Sequence, residues 1–382
     1  MKRTILTLNA GSSTLKFALF ESSQGALKRL YSGLIDYAGA TANLRLQDAS
    51  GTTIHNAQLE KTNAVAEQAI DCIEKVLPDI HLGAISHRLV HGGQQFFDAT
   101  LVDTETLAQL KELIPLAPLH LPAEIRAIES LLKRVPGTPQ VAYFDTAFHR
   151  TQTDLAKILP LPRSFFDEGI IRYGFHGLSY EYIASQLAED HGLTVVAHLG
   201  SGASACAIKN RQSVAHSMGF STNEGLMMST RSGSIDPGLV LYLLEERNYS
   251  IAEVHSLLFD QSGLLGVSGG ISSDIRQLEG SDQPQARQAI DFFCYRTAAE
   301  IGKLLPALGG INSLVFTAGI GEHSALVRAK ICERLQWLGL TIDNPANETH
   351  QSRISMPESK VTVRVIPTDE ERILAEKALA FC

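Results

Sequence analysis

The sequence predicts an α/β fold that is duplicated in two halves of similar length. Two β-rich runs flank a polar, glycine-containing turn within residues 4–20, and residues 194–208 repeat this layout around the turn GSGAS. Gly11 in the first turn and Ser201 in the second are 190 residues apart, and half of the 382-residue chain is 191 residues. Self-similarity at that offset indicates a duplicated unit. Strands and helices alternate between the two hairpins, as a layered α/β protein requires.

Hydrophobic runs and helix signals predict the remaining elements. Strands are expected at residues 84–90, 141–144, 313–317 and 361–366. Helices are expected at residues 64–77, 179–189, 237–246, 286–305 and 322–335. Asp236 before Pro237 is typical of a helix N-cap. Thr368, with Glu371 three residues later, predicts a capping box at the start of the last helix.

The length and the duplication predict two domains, although length alone would also allow three. We expect an N-terminal domain over residues 1–147, completed by the C-terminal helix at 369–382, and a second domain over residues 148–368. No Pro-rich or Ser-rich linker interrupts the chain, so the domains are expected to pack closely.

Composition and charge exclude several classes of protein. A hydrophobic share of 44% and a charged share of 19% are ordinary for a folded chain. The formal charge of −8 argues against nucleic-acid and anionic-membrane partners. Five cysteines stand far apart without a CxxC pair, which is typical of free thiols in a reducing compartment. No signal-peptide core or apolar membrane span is visible, so we expect a cytoplasmic protein.

Glycine-rich turns that carry polar residues follow several predicted strands. They are AGSS (10–13), GSGAS (200–204), SGGISSD (268–274) and AGIGEHS (318–324). The backbone N–H groups of such turns can bind phosphate oxygens. One turn alone usually only permits a sharp bend, but several on one chain indicate a nucleotide. None matches GxxxxGK[ST] or GxGxxG, so neither a P-loop nor a Rossmann site is supported.

An acidic protein that handles anions must concentrate positive charge locally, and Lys16, Arg88, Arg231 and Arg276 are the candidates. Arg88 follows a strand-like run and precedes two glycines, where its planar guanidinium could bind a carboxylate or a phosphate. The alternative for each arginine is an ordinary surface or ion-paired side chain.

Asp145 and His176 are the candidates for further polar groups of a site. Asp145 ends the run VAYF, and the carboxyl ends of strands in open α/β sheets are where ligands bind, although a turn or cap role is the alternative. His176 lies in a loop between two glycines, where it could meet substrate or be satisfied by backbone groups. No metal-binding motif is present, but Mg²⁺ held mainly by phosphates needs only one or two protein oxygens, which Asn9 and Glu370 could supply. Glu370 could instead serve only the helix dipole.

These segments together resemble the acetate kinase family, in collinear order over nearly the whole chain. The resemblance rests on LNAGSSTLKF (8–17), SHRLVHGG (86–93), APLH (117–120), YFDTAFH (143–149), RYGFHG (172–177), HLGSGAS (198–204), TRSGSIDPG (230–238), FTAGIGEHS (316–324) and IPTDEE (366–371). It implies the duplicated actin-like, RNase H-like fold of the acetate and sugar kinase, Hsp70 and actin superfamily. It further implies an interdomain active-site cleft, ATP or ADP with Mg²⁺ or Mn²⁺, a C-terminal nucleotide-binding half and a homodimer.

The resemblance also implies a role for each matching residue. Arg88 would bind the substrate carboxylate, Asp145 matches the assigned acid/base, and His176 and Arg231 match the groups that stabilise the transferring phosphoryl group. The substrate methyl group would be held by Val90, Leu119 and Phe175. The metal ion would be held by Asn9 and Glu370. The nucleotide would be bound by Lys16, His198, Leu199, Gly200, Ser201, Gly202, Asp274, Ile275, Arg276, Gly319, Ile320, Gly321, Glu322 and His323.

Five positions depart from the residues that are common in the family. Thr14 keeps the hydroxyl of the usual Ser, whereas Ser201 and His323 each replace an Asn in the nucleotide loops. Thr222 stands where a pocket proline is typical, and Leu121 where Asn is common. The acceptor is therefore acetate or a longer acid such as propionate or butyrate, and pyrophosphate is an alternative to ATP as donor.

The implied reaction transfers the γ-phosphoryl group of ATP to a short carboxylate, giving an acyl phosphate and ADP. A carboxylic acid with a pKa of about 4.3 is already ionised at pH 7, so its attack needs no general base. We therefore interpret Asp145 as a residue that orients an arginine or a metal-bound water. The alternatives outside this class are a nucleotide-dependent switch of the same fold and a degraded binding module. Two substrate-side arginines beside an apolar acyl pocket favour the kinase.

Overall fold

A computed structural model describes residues 3–11, 14–23, 25–37, 41–60, 65–78, 80–187 and 192–382. Its strands are β1 (Arg3–Ala10), β2 (Thr14–Ser23), β3 (Ala26–Asp36), β4 (Ala42–Asp48), β5 (Thr53–Leu59), β6 (Leu82–Leu89), β7 (Thr100–Leu101), β8 (Gln140–Phe144), β9 (Leu193–Leu199), β10 (Ala203–Lys209), β11 (Gln212–His216), β12 (Ser313–Thr317) and β13 (Thr362–Val365). Its helices are α1 (Val65–Val76), α2 (Thr104–Glu112), α3 (Leu121–Arg134), α4 (Asp154–Lys157), α5 (Arg163–Asp167), α6 (Gly177–Gln186), α7 (Pro237–Glu245), α8 (Ile251–Asp260), α9 (Gly263–Val267), α10 (Ile275–Glu279), α11 (Pro284–Leu308), α12 (Ala318–His323), α13 (Ala325–Arg334), α14 (Asn344–Glu348) and α15 (Glu370–Ala378).

The chain forms two compact units. Unit 1 consists of Met1–Ala147 and Asp369–Cys382, so that α15 belongs to it, and unit 2 consists of Phe148–Thr368. Within the described part of the chain, no helix is long and apolar enough to cross a membrane.

Unit 1 is built on one mixed sheet with the strand order β5-β4-β3-β2-β1-β6-β8-β7. Strands β1 to β5 form an antiparallel meander, and β6 and β8 add parallel to β1. Strand alternation divides the sheet into two apolar faces. Leu6 and Phe17 belong to the core that includes α1, whereas Ile5 and Ala18 pack with Ala375 of α15. Helices therefore cover both faces of this sheet.

Unit 2 repeats the central part of that sheet. Its strand order is β11-β10-β9-β12-β13, with β9, β10 and β11 antiparallel and β12 and β13 parallel to β9. The strands β3-β2-β1-β6-β8 of unit 1 have the same order and directions. Helix α6 packs its buried residues Tyr180 and Ile183 on β9 and β10, and α11 also contacts these strands. The predicted duplication is confirmed by this shared topology.

The predicted strands are each found within one or two residues, and both predicted hairpins form. Parts of three predicted elements lie outside the described residues: Ser12 and Ser13 of the first turn, Ala64 at the start of one helix, and the end of the helix predicted to reach residue 189. Asp236 caps α7 as predicted, through a hydrogen bond from the Gly238 N–H.

Two details of the helix predictions are wrong. The helix expected over residues 322–335 is interrupted at Ser324, whose hydroxyl accepts from the Val327 N–H and starts α13 anew. The cap of α15 is Asp369 instead of Thr368, because the Asp369 carboxylate accepts from the Arg372 N–H. Glu371, expected to complete a capping box, instead accepts a hydrogen bond from Asn9.

Candidate active site

In unit 1 the predicted polar residues gather at the carboxyl ends of three neighbouring parallel strands. Asn9 lies near the end of β1, Arg88 near the end of β6, and Asp145 directly after β8. Since successive side chains of a strand point to opposite faces, all three lie on the face that α15 covers. The carboxyl edge of parallel strands is where ligands bind in open α/β sheets.

Arg88 and Asp145 form a two-pronged ion pair. Arg88 Nε donates to Asp145 Oδ1 at 3.1 Å, and Arg88 Nη2 donates to Oδ2 at 2.5 Å. The Asp145 side chain is 2% exposed and that of Arg88 14%. Burial alone would lower the pKa of Arg88 by disfavouring its charge. The negative charge of Asp145 outweighs this effect and raises the pKa of Arg88, with smaller contributions from Glu124 and Glu370. The guanidinium is therefore charged and fixed in direction.

Sequence reasoning missed Glu124, a buried carboxylate of α3 beside this pair. Its Oε2 accepts from the Val90 N–H at 2.9 Å, and its Oε1 lies 3.9 Å from Arg88 Nη1. Burial raises the pKa of Glu124 to about 7, although Arg88 and the Val90 N–H favour its charged form. The signal in the sequence is a carboxylate within the apolar stripe of an amphipathic helix, between the buried Leu121 and Ile128.

The candidate metal ligands Asn9 and Glu370 are in contact. Asn9 Nδ2 donates to Glu370 Oε2 at 2.7 Å and lies 3.4 Å from Glu371 Oε1. Acidic side chains at the start of α15 also suit the positive end of the helix. An amide oxygen and a carboxylate are hard oxygen donors, so the pair fits Mg²⁺ or Mn²⁺. No cluster of three or more His, Cys, Asp or Glu side chains that could hold a metal occurs among the described residues.

Of the remaining predicted residues of unit 1, Lys16 and Val90 also lie at this edge. Lys16 is the register partner of Asn9 on β2 and is exposed. Val90 is buried directly after β6, and Leu119, in the turn before α3, is 49% exposed. Phe175, the third residue predicted for the acyl pocket, is buried in unit 2.

In unit 2 a chain of hydrogen bonds holds His176. This residue caps α6 with a left-handed backbone, and its Nδ1 lies 2.8 Å from Ser204 Oγ. The Tyr180 hydroxyl lies 2.6 Å from the same Ser204 oxygen. The His176 ring stacks on that of His198 with centroids 4.3 Å apart, and His198 Nδ1 in turn lies 2.8 Å from Ser179 Oγ. The orientation of the His176 ring is therefore set from both sides.

Arg231 and His176 converge on the turn at Gly202. A Cβ atom placed on Gly202 would lie 3.2 Å from His176 Nε2 and 4.0 Å from Arg231 Nη1. Arg231 Nη1 also donates to the Thr222 carbonyl oxygen at 3.0 Å. Glycine at 202 thus leaves the space between an imidazole nitrogen and a guanidinium open. A guanidinium and an imidazole close to one point suit an anionic group.

The predicted nucleotide loops surround the carboxyl ends of β9 and β12. The turn between β9, which ends at Leu199, and β10 consists of Gly200, Ser201 and Gly202. Helix α12 follows β12 directly and contains Gly319, Ile320, Gly321, Glu322 and His323. A Cβ atom on Gly200 would lie 3.6 Å from the Ala318 Cβ, so the two loops are neighbours. Glu322 Oε1 accepts from the N–H groups of Ala318 and Thr368 at 2.8 and 3.1 Å. Glu322 therefore links the start of α12 to the segment before α15, and His323 is exposed.

Asp274, Ile275 and Arg276 form the start of α10. Asp274 caps this helix and pairs with the largely exposed Arg276 at 2.6 Å. Glu279 at the end of α10 accepts a hydrogen bond from Ser324, the residue that follows α12. This contact links α10 to the loop region after β12.

The chain matches the Acetokinase family over residues 4–376. An acetate kinase from Rhodopseudomonas palustris is 46% identical over 388 residues, covering 98% of this chain and 97% of that protein. The crystal structure of Porphyromonas gingivalis acetate kinase is 35% identical with a TM-score of 0.86 and 99% of both chains covered. The structure of a propionate kinase from Francisella tularensis is 34% identical with a TM-score of 0.90 and 98% of both chains covered.

These findings place the chain among phosphotransferases that act on a carboxyl group. The chain belongs to the acetokinase family, and the actin-like fold predicted from its motifs is confirmed.

Proposed function

We propose that this protein catalyses the reversible transfer of the γ-phosphoryl group of ATP to acetate, giving acetyl phosphate and ADP by direct in-line transfer. The observation that carries the proposal is the Arg88 guanidinium, held by both oxygens of Asp145 at the carboxyl edge of the unit 1 sheet. A charged group fixed in this way is suited to a small carboxylate. Membership of the acetokinase family supports the nucleotide as the second reactant.

The acceptor needs positioning more than deprotonation. Its carboxylate is ionised at neutral pH, because its pKa is close to the about 4.3 of a free Glu side chain. Asp145 already accepts from Arg88 through both oxygens, so its role is to orient Arg88. The acceptor would then bind at the edge between Nη1 and Nη2, where Nη1 also donates to the Ala10 carbonyl oxygen at 3.3 Å.

The donor is proposed to lie at the loops of unit 2. Phosphoryl transfer passes through a loose, charge-rich transition state, and catalysis is mostly positioning and charge neutralisation. His176 and Arg231, which converge on Gly202, would hold the transferring group. The nucleotide would lie against the His198–Gly202 turn, α12 and the start of α10. That these groups and those of unit 1 act on one pair of reactants stays a prediction.

Asn9 and Glu370 would hold Mg²⁺ or Mn²⁺. The contact between the two side chains and their oxygen donors support this assignment. When bound, the ion would neutralise phosphate charge. The chain's own part is to fix the amide and the carboxylate at the end of β1 and the start of α15.

A preference for propionate is the second candidate function. The similarity to the Francisella tularensis propionate kinase supports it, and Thr222 and Leu121 depart from the family's usual residues near the predicted acyl pocket. One methylene changes discrimination by only about 1–3 kcal/mol. Turnover measured side by side with two-, three- and four-carbon acids decides between them.

The assembly is proposed to be a cytoplasmic homodimer. Large apolar side chains are exposed on α7, α8 and α11 of unit 2, including Leu241, Ile251 and Tyr295. Such a surface suits a second copy of the chain. The five cysteines are free thiols, which supports a reducing compartment. Light scattering of the purified protein, with Leu241→Lys as the disrupting variant, tests the dimer.

Trapping of the product with hydroxylamine tests the proposed reaction. With acetate and MgATP, we expect acetohydroxamate and ADP in equal amounts. Hydroxamate with AMP would indicate an acyl adenylate instead. ATP binding without hydroxamate from any short acid would favour the nucleotide-dependent switch.

A further inference from the structure

Glu124 lies beside the acceptor-binding arginine without belonging to the motifs that identify the family. Its side chain is buried, its Oε2 is held by the Val90 N–H at 2.9 Å, and its Oε1 lies 3.9 Å from Arg88 Nη1. The charged or titratable groups that act on it are Arg88 on β6, Asp145 after β8 and Tyr37 after β3. Asp145 accepts from Nε and Nη2 of Arg88. Glu124 faces Nη1, which also donates to the Ala10 carbonyl oxygen at 3.3 Å.

We propose that Glu124 is a positioning residue whose protonation state sets the affinity of Arg88 for the acceptor carboxylate. With Glu124 neutral, the charges of Arg88 and Asp145 balance. With Glu124 ionised, this buried group carries a net negative charge that repels an incoming carboxylate, since charges interact strongly away from water. The inference rests on the proposed function, because it assumes that Arg88 binds the acceptor.

The titration of Glu124 falls in a range where His87, His91 and Tyr37 do not change charge. Burial raises its pKa to about 7, and burial lowers the pKa of both His87 and His91 to about 4. Burial and Glu124 raise the pKa of Tyr37 above its ordinary value. Between pH 6 and pH 8, Glu124 is therefore the titrating group among these four side chains.

The expected size follows from linkage. If the acceptor binds only when Glu124 is neutral, the apparent KM is inversely proportional to the neutral fraction of Glu124. For a pKa near 7, the apparent KM then rises about 10-fold from pH 6 to pH 8. Binding of the acceptor would also draw a proton onto Glu124, up to about half a proton per site at pH 7.

The test compares Glu124→Gln with Glu129→Gln at saturating MgATP. The first variant keeps an acceptor for the Val90 N–H but loses the charge, and the second makes the same change on the same helix, where Glu129 pairs with Lys111 on the surface. We expect the KM for acetate to rise about 10-fold from pH 6 to pH 8 in the wild type and in Glu129→Gln, and to stay low and flat in Glu124→Gln. The kcat should change much less in all three proteins.

Calorimetry of acetate binding to the wild type, in buffers of different ionisation enthalpy at pH 7, requires no variant. Proton uptake on binding supports the inference, and its absence overturns it. An unchanged KM profile in a folded Glu124→Gln overturns it too, while phosphorylation of acetate by the same samples would leave the proposed function standing. If no short carboxylate is bound or phosphorylated at any pH, the proposed function itself fails, and the inference fails with it.

Discussion

Asp145→Asn separates an orienting role from a proton-transfer role. In the wild type, Asp145 accepts from Arg88 Nε at 3.1 Å and from Nη2 at 2.5 Å, and its side chain is 2% exposed. The asparagine side chain has one oxygen in place of two, and its NH2 group would face an Arg88 N–H donor. One of the two bonds is therefore lost, together with the charge that balances Arg88.

The size of the effect follows from these contacts. Removing one partner of a buried ion pair costs about 3–5 kcal/mol, and one retained bond reduces this to about 2–3 kcal/mol of unfolding free energy. A displacement of Arg88 by about 1 Å would lower kcat/KM about 100-fold. Most of that loss should be a higher KM for the acceptor, because Arg88 is proposed to bind it.

The assay is the initial rate of acyl phosphate formation against acceptor concentration between pH 6 and pH 9. Asp167→Asn is the matched control, since Asp167 pairs with Arg163 at 3.1 Å on the surface, and it should change neither parameter. An unchanged KM in Asp145→Asn, with kcat reduced by orders of magnitude and one limb of the pH profile lost, would show that Asp145 moves a proton. Near-native kinetics in this variant would instead make the orienting role minor.

Three further predictions concern the donor, the metal ion and the fold. Arg231→Lys should lower kcat about 100-fold or more with little change in the KM for ATP, because a lysine cannot form two parallel hydrogen bonds. Near-native turnover would contradict the proposed role of the Arg231 guanidinium at the transferring group. EDTA should abolish turnover, and Mg²⁺ or Mn²⁺ should restore it. Asn9→Ala should raise the Mg²⁺ concentration for half-maximal rate, because it removes one of the two proposed ligands; an unchanged requirement would place the ion elsewhere. Gly33→Ala should lower the unfolding free energy by about 1–3 kcal/mol, because the alanine Cβ would lie 2.0 Å from the Phe17 ring. An unchanged denaturation midpoint would contradict this packing.

The hairpins and parallel strands could be predicted because each has a local signal. The strands β3, β4 and β5 were not among the predicted elements, although β4 alternates buried Ala42, Leu44 and Leu46 with more exposed residues. Helix starts were less predictable. Asp369 and Thr368 are adjacent candidates for the cap of α15. Which of them accepts the hydrogen bond depends on the path of the backbone into the helix, and the local sequence does not specify that path.

Arg88 and Asp145 could be found because both stand at the ends of recognisable strands, and strand ends of one sheet edge meet. Glu124 could not be assigned in this way. Helical periodicity places Glu124 in the core. The groups that stabilise its buried carboxyl group, Arg88 and the Val90 N–H, come from distant parts of the sequence, and Val90 is 34 positions away. Likewise, the hydrogen bonds of Ser204 and Tyr180 that orient His176 exist only once β10 and α6 are packed together.

The most direct test is to follow the oxygen of the acceptor. Acetate labelled with ¹⁸O in both positions is incubated with MgATP, and the products are examined by ³¹P NMR. If the Arg88-bound carboxylate attacks the γ-phosphorus, the acyl phosphate signal carries the isotope shift of one bridging ¹⁸O, and ADP is the only new nucleotide. An unshifted phosphorus signal, or AMP as the nucleotide product, would contradict this mechanism.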